Sequence, residues 1–358
     1  MSLLDLQVRN PVRAIGRRAA LPQVASIHRG VASRTISAGM VLSTLAVILF
    51  SMSSGLAAAD RNATRTSKPK LPKPEDVSIE TDDGVELALT YYPGPNGKQS
   101  VPVVLLHGWK QSRNDFRDMA LALQAAGCAV VTPDLRGHGQ SLRRKGVQRD
   151  ETLNAATMSS GQFAAMADYD MMAVKKFLWK RNNAGELNLD KLCLIGAEMG
   201  ASVALNFALA DARDQDDNPV ARADYKIGRF VKALVLISPE LAFRGLPVRQ
   251  AAVYPPIRDD VSMLIFVGRQ DSKAFDEAKR VHGLVERHRP EPTGVTAAER
   301  NDKRTLFFVK CDTRLQGEKL LDPRFNLSGL TIEFIQRRLI KSESSKAWTW
   351  QERKIPHG

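Results

Sequence analysis

The chain has 358 residues, of which 43% are apolar, 25% charged and 6% aromatic, the make-up of an ordinary globular protein rather than collagen, a low-complexity polymer or a disulfide-built miniprotein. Three scattered cysteines (Cys128, Cys193, Cys311) without CxxC spacing argue against a zinc site or a disulfide framework, and no metal or cofactor is expected. The net charge of +13 is uneven: residues 1–59 hold six arginines and one aspartate, a balance of +5, and the other 299 residues carry the remaining +8. No RNA-binding aromatic motif or zinc finger accompanies that excess, so it reads as a solvated basic surface and not as a nucleic-acid interface.

From Thr35 the chain runs uncharged to Asp60, and its most apolar part, Met40 to Phe50, has the core length of an export signal. An arginine-rich, acid-poor segment precedes it, and Ala57-Ala58-Ala59 supplies the small residues that a signal peptidase needs. Residues 1–59 therefore read as an export signal, with a retained membrane anchor and a transit peptide as the alternatives. The domain is expected outside the cytoplasm, periplasmic or extracellular, with membrane contact only if this segment is kept. Residues 60–75 are polar, carry three prolines and read as a linker.

The remainder, 76–340 with a tail at 341–358, alternates strands and helices. Val77–Thr81 and Val85–Tyr92, split by Asp82-Asp83-Gly84, predict a hairpin. Unbroken apolar runs at 101–107, 128–134, 192–196, 231–238, 261–268 and 305–311 predict strands buried on both faces of a mostly parallel sheet. Helical spacing fills 114–126, 161–181, 199–209, 273–287 and 327–341. The expected class is a doubly wound α/β sheet of eight strands, whose functional crevice lies beyond the carboxyl ends of its strands. Only Pro239–Asp260 is available between the sixth and seventh strands, too short for a large lid.

Four strings stand at those strand ends: HGW (107–109), DLRGHGQS (134–141), GAEMG (196–200) and GRQD (268–271). In this order and spacing the chain resembles the α/β-hydrolase superfamily, especially its small esterase-, dienelactone-hydrolase- and acyl-peptidase-like members with little lid. Gly196 and Gly200 bracket a sharp strand-to-helix turn, the nucleophile elbow, whose central residue is exposed at a helix N-terminus. The resemblance implies an oxyanion hole from the backbone N–H groups of Trp109 and Met199, and a triad acid at Asp271. Asp271 reads equally well as a helix N-cap before Ser272-Lys273. His107 and His138 lie in strings that the family uses structurally. LRRK (142–145) reads as a solvated charge run, with binding of an anionic substrate as the sharper alternative.

The departures decide the expected chemistry. Glu198 stands where the superfamily has its serine, and Gln316-Gly317 where it has His-Gly. Ser202 lies a helical turn too late, Ser159 and Ser160 lack elbow glycines, and no other histidine falls after the last strand except His357 in the tail. Losing a triad serine or histidine costs on the order of 10⁶ in rate. A fixed negative charge at the elbow would also repel a developing oxyanion. Dehalogenases and epoxide hydrolases of the superfamily place a carboxylate there, but as Asp, one methylene shorter, and with a histidine to activate water. The expectation is a catalytically impaired hydrolase-fold protein that binds a small acyl or ester-like molecule. A carboxylate-nucleophile enzyme at Glu198 and a partner-binding module are the alternatives.

Overall fold

The apolar runs fold into the buried strands of one sheet in a computed structural model that describes residues 7–8, 71–146, 149–218, 226–289, 292–294 and 296–353. Apart from residues 7–8 and 71–75, the expected leader and linker lie outside the described residues. Among the described residues no helix is long and apolar enough to cross a membrane.

Eight principal strands are β1 (Glu75–Glu80), β2 (Val85–Tyr92), β3 (Val101–Leu106), β4 (Cys128–Pro133), β5 (Leu192–Ala197), β6 (Val231–Ile237), β7 (Ser262–Gly268) and β8 (Leu306–Cys311). Their spatial order is β1-β2-β4-β3-β5-β6-β7-β8. β1 and β2 pair antiparallel, as does β2 with β4, and the remaining pairings among these eight strands are parallel. Every residue of β3, β4, β5 and β7 is buried, the expected state for uniformly apolar strands covered on both faces. Two-residue segments extend the sheet, one of them Gln7–Val8 beside Lys310–Cys311 of β8.

Helices α1 (Arg117–Ala125), α2 (Ser160–Ala165), α3 (Met171–Asn183), α4 (Met199–Asp216), α5 (Arg249–Val253), α6 (Ser272–Glu286), α7 (Ala297–Lys303) and α8 (Leu327–Ile335) connect the strands. Two apolar cores result. One packs α2 to α6 on one sheet face, with Phe163, Val203, Ala251 and Val281 inside it. The other packs α1 and α8 on the opposite face around Phe116, Phe325 and Phe334.

Three features differ from the sequence expectation. The single helix expected over 161–181 is interrupted by a π-turn at Met166–Asp170, and α4 runs seven residues past the expected end at 209. The π-turn carries Asp170, fully buried, onto Arg136, whose backbone N–H and Nε donate to it at 2.9 and 2.8 Å. Helical spacing alone could not reveal that distant partner. The segment past 340, expected as a tail, packs on the domain as far as Arg353. Trp179 Nε1 donates to the Arg353 carbonyl at 2.9 Å, Trp350 Nε1 to the Asn182 carbonyl at 3.1 Å, and the Arg353 guanidinium pairs with buried Asp190.

Candidate active site

β5 stops at Ala197 and α4 starts at Met199, which leaves Glu198 alone at the turn with φ 49° and ψ −111°. A non-glycine residue held there is strained by roughly 1–3 kcal/mol. Backbone contacts over-determine it: Glu198 N–H donates to Ile237 at 2.9 Å, and its carbonyl accepts from Ala201 N–H at 3.0 Å. The glycines on either side are sterically required. A Cβ on Gly196 would lie 2.2 Å from the Gly200 carbonyl oxygen, and one on Gly200 would lie 2.2 Å from that of Leu106.

The Glu198 carboxyl lies between two loops. Its Oε2 is 3.1 Å from where a Cβ of Gly108 would stand, and its Cδ and Oε1 are each 2.8 Å from the corresponding point on Gly317 (φ 58°). Glu318 Oε2 is within 3.7 Å of the same Gly108 point and is buried without a hydrogen-bond partner among the described residues. No hydrogen bond from another described side chain reaches the Glu198 carboxyl. Burial first, then the Glu318 and Glu240 carboxylates, push its pKa up from the ordinary value, with Lys319 pulling weakly the other way.

The other two triad positions face elsewhere. Gln316 is locked to β7 and to the end of β6: Oε1 accepts from Ser238 Oγ at 2.7 Å and Gly268 N–H at 3.2 Å, while Nε2 donates to the Gly268 carbonyl at 2.8 Å. Asp271 Oδ1 accepts from Ala274 N–H at 3.1 Å and caps α6. No hydrogen bond joins Glu198, Gln316 and Asp271 to one another. Met199 opens α4, where first-turn N–H groups lack an intrahelical acceptor. Trp109 is fixed nearby by donation from Nε1 to Ala155 at 3.2 Å.

The described imidazoles serve as scaffold. Leu135 N–H donates to His107 Nε2 at 3.1 Å, so the His107 proton sits on Nδ1 and is given to the Gly108 carbonyl at 2.8 Å. Burial, with His138 beside it, pushes His107 down to about 4, so the ring is neutral at physiological pH. His138 donates from Nδ1 to Arg136 at 2.9 Å, and its pKa is lowered by burial. His282 stacks on Phe308 with centroids 4.8 Å apart, and His288 follows the end of α6. His28 and His357 lie outside the described residues. Ser202 is fully buried inside α4, and Ser159 caps α2.

LRRK is consumed by acids: Arg143 meets Glu86 and Asp150, Arg144 meets Glu151, and Lys145 meets Glu80 at 2.5 Å. A small cap follows β6, with Ala242–Phe243 and Leu246–Pro247 paired as a hairpin whose turn is Arg244 (φ 37°) and Gly245 (φ 95°). Glu240 lies on its stem and Arg244 over Trp109, with the guanidinium 4.1 Å from the ring centroid. Glu318, Ser238 and this hairpin were not singled out by sequence. The only signal available was the acid two positions after Gln316.

Sheet order, elbow conformation and the loop after β3 together define an α/β-hydrolase fold. Residues 101–259 match the alpha/beta hydrolase fold family. An uncharacterised protein of Mycobacterium tuberculosis is 28% identical over 141 residues, 39% of this chain and 42% of that one. A soluble epoxide hydrolase of Corynebacterium sp. is 34% identical over 113 residues, 32% of this chain and 31% of the enzyme. The chain thus spans less than half the length of these curated relatives. The solved structure of DcsB in complex with its substrate analogue superposes with a TM-score of 0.50 at 13% identity, over 75% of this chain and 100% of that one. At that identity the likeness is one of fold.

Proposed function

We propose that this is an exported or membrane-anchored α/β-hydrolase-fold protein that does not perform serine-type acyl hydrolysis and keeps its crevice to bind a small acyl or ester-like molecule. The observation that carries this reading is the elbow. Its tip bears a carboxyl to which no imidazole among the described residues is bonded, and the Gln316 side chain has both ends of its amide engaged by Gly268 and Ser238. Among the described residues no hydroxyl stands at the elbow tip and no imidazole bonds to it, and a carboxylate at Glu198 would oppose an oxyanion.

The purified full-length protein should show no burst and no turnover of short p-nitrophenyl esters above a heat-killed control. Fluorophosphonate labelling of a serine in the crevice would overturn the proposal. Paired replacement of Glu198 by Ser and Gln316 by His tests the scaffold separately, because slow ester hydrolysis in that variant requires an intact pocket.

The epoxide-hydrolase relative favours one second reading, in which Glu198 attacks an epoxide carbon. A carboxylate C–O bond would form, the ring C–O bond would break, and the alkoxide would take a proton. The resulting ester would lack a base for its hydrolysis, so the adduct should persist. Mass spectrometry after incubation with an epoxide decides this: a stable adduct on Glu198, absent in Glu198→Gln, supports the second reading over the first.

A further inference from the structure

Two cations converge on one indole in the loop after β3, next to the elbow. The Arg244 guanidinium lies 4.1 Å from the Trp109 ring centroid and Lys110 Nζ lies 4.5 Å from it. Neither has a carboxylate partner among the described residues, whereas every basic residue of the LRRK run is paired. Two exposed like charges near one ring repel weakly through water, and an anion joining them would turn that repulsion into attraction.

Both cations are placed by backbone rather than by chance extension of long side chains. Lys110 sits at φ 61° and Arg244 at φ 37°, the left-handed region that disfavours branched carbon at Cβ. The Arg244 turn is pinned because a Cβ on Gly245 would come within 2.6 Å of the Ser160 carbonyl oxygen, so the hairpin rests on the start of α2. Phe163 and Phe243 lie edge-on at 5.5 Å beneath the guanidinium, and Trp109 is held by Ala155. Arg244 is exposed and none of its donors bonds to a described residue, so they are free for a ligand.

We infer that Arg244 and Lys110 form an anion clamp next to the elbow, which takes the carboxylate or phosphate of a ligand whose apolar body lies against Trp109. The acidic floor at Glu198 and Glu318 keeps that anionic group at the rim, which orients the molecule. The clamp goes beyond the reading of the elbow and does not depend on it: ester turnover would leave the clamp standing, and failure to bind anions would leave the silent elbow standing.

Titration of the full-length protein with hexanoate, inorganic phosphate and uncharged hexanol, followed by thermal shift and tryptophan emission, tests it. Hexanoate should bind saturably and raise Tm, and hexanol should not. Saturation by phosphate as well would identify the clamp with the oxyanion itself, and saturation by hexanoate alone with a carboxylate on an apolar body. R244Q should weaken hexanoate binding about tenfold, the scale of one lost charge-assisted hydrogen bond, and K110Q should weaken it less. R143Q, which alters a paired arginine, should leave it unchanged. No saturation at millimolar hexanoate, binding unaltered in R244Q, or equal loss in R143Q would each overturn the clamp.

Discussion

Asp134 and Glu198 each follow a strand of the sheet by one position, β4 and β5 respectively, and their surroundings are opposite. Asp134 is buried and receives Arg113 N–H at 2.7 Å, Arg113 Nη1 at 2.6 Å and Gln140 N–H at 2.9 Å. Close by, Arg136 is held between Asp170 and Asp83, with distances of 2.7 Å to each. On this side every buried charge has its complement. On the elbow side burial and the Glu318 and Glu240 carboxylates raise the pKa of Glu198, and among the described residues no cation bonds to it. A charge with partners is part of the scaffold, and a charge without them is available to something outside the chain. Removing a charge should therefore cost stability on the first side and return it on the second.

The largest expected effect lies on the paired side. Arg136→Met strands Asp170, which is fully buried, and should lower the unfolding free energy by about 3–5 kcal/mol in urea denaturation. A loss within the ordinary scatter of surface substitutions would mean that the network is not rigid. Next comes the elbow backbone: Gly196→Ala forces a methyl against the Gly200 carbonyl and should cost about 1–3 kcal/mol, read as a lowered Tm. Asp271→Ala should cost about 1 kcal/mol through the lost cap of α6 and leave ligand affinity unchanged. A drop in affinity without a drop in stability would instead return Asp271 to the site.

Glu198→Gln should act in the other direction, with a gain on the order of 1 kcal/mol or less at pH 7, the scale of a screened like-charge pair. The raised pKa of Glu198 fixes the pH window. Below the ordinary glutamate value the carboxyl is protonated in both folded and unfolded chains. Between that value and its raised folded value only the folded chain holds the proton, so wild-type stability falls as pH rises through the interval. The advantage of Glu198→Gln should accordingly vanish toward pH 4, as thermal melts at several pH values would show.

Much of the fold could be read from the chain itself. β3, β4, β5 and β7 announce themselves because a strand covered on both faces has no polar position to interrupt it, and the elbow because its glycines stand four apart after such a strand. That a glutamate fills the elbow and a glutamine follows the last strand was equally legible, since it rests on residue identity. What surrounds Glu198 was not. Glu318 comes toward it through a short 3-10 turn, and the Arg244 hairpin is built from two-residue strands that give no periodic signal. Nor does spacing reveal Asp170 or the docking of 341–353, because both depend on partners far along the chain. Trp348 and Trp350 in the supposed tail were the one clue to the latter, since apolar rings seldom stay in water.

The contorted backbone at position 198 is held by its neighbours' main-chain atoms and flanked by two glycines, and the glutamate side chain makes no cap hydrogen bond there. The position therefore behaves as a socket. Serine, cysteine or aspartate should fit there with the backbone unchanged, so that different reactive groups could be auditioned on a single frame.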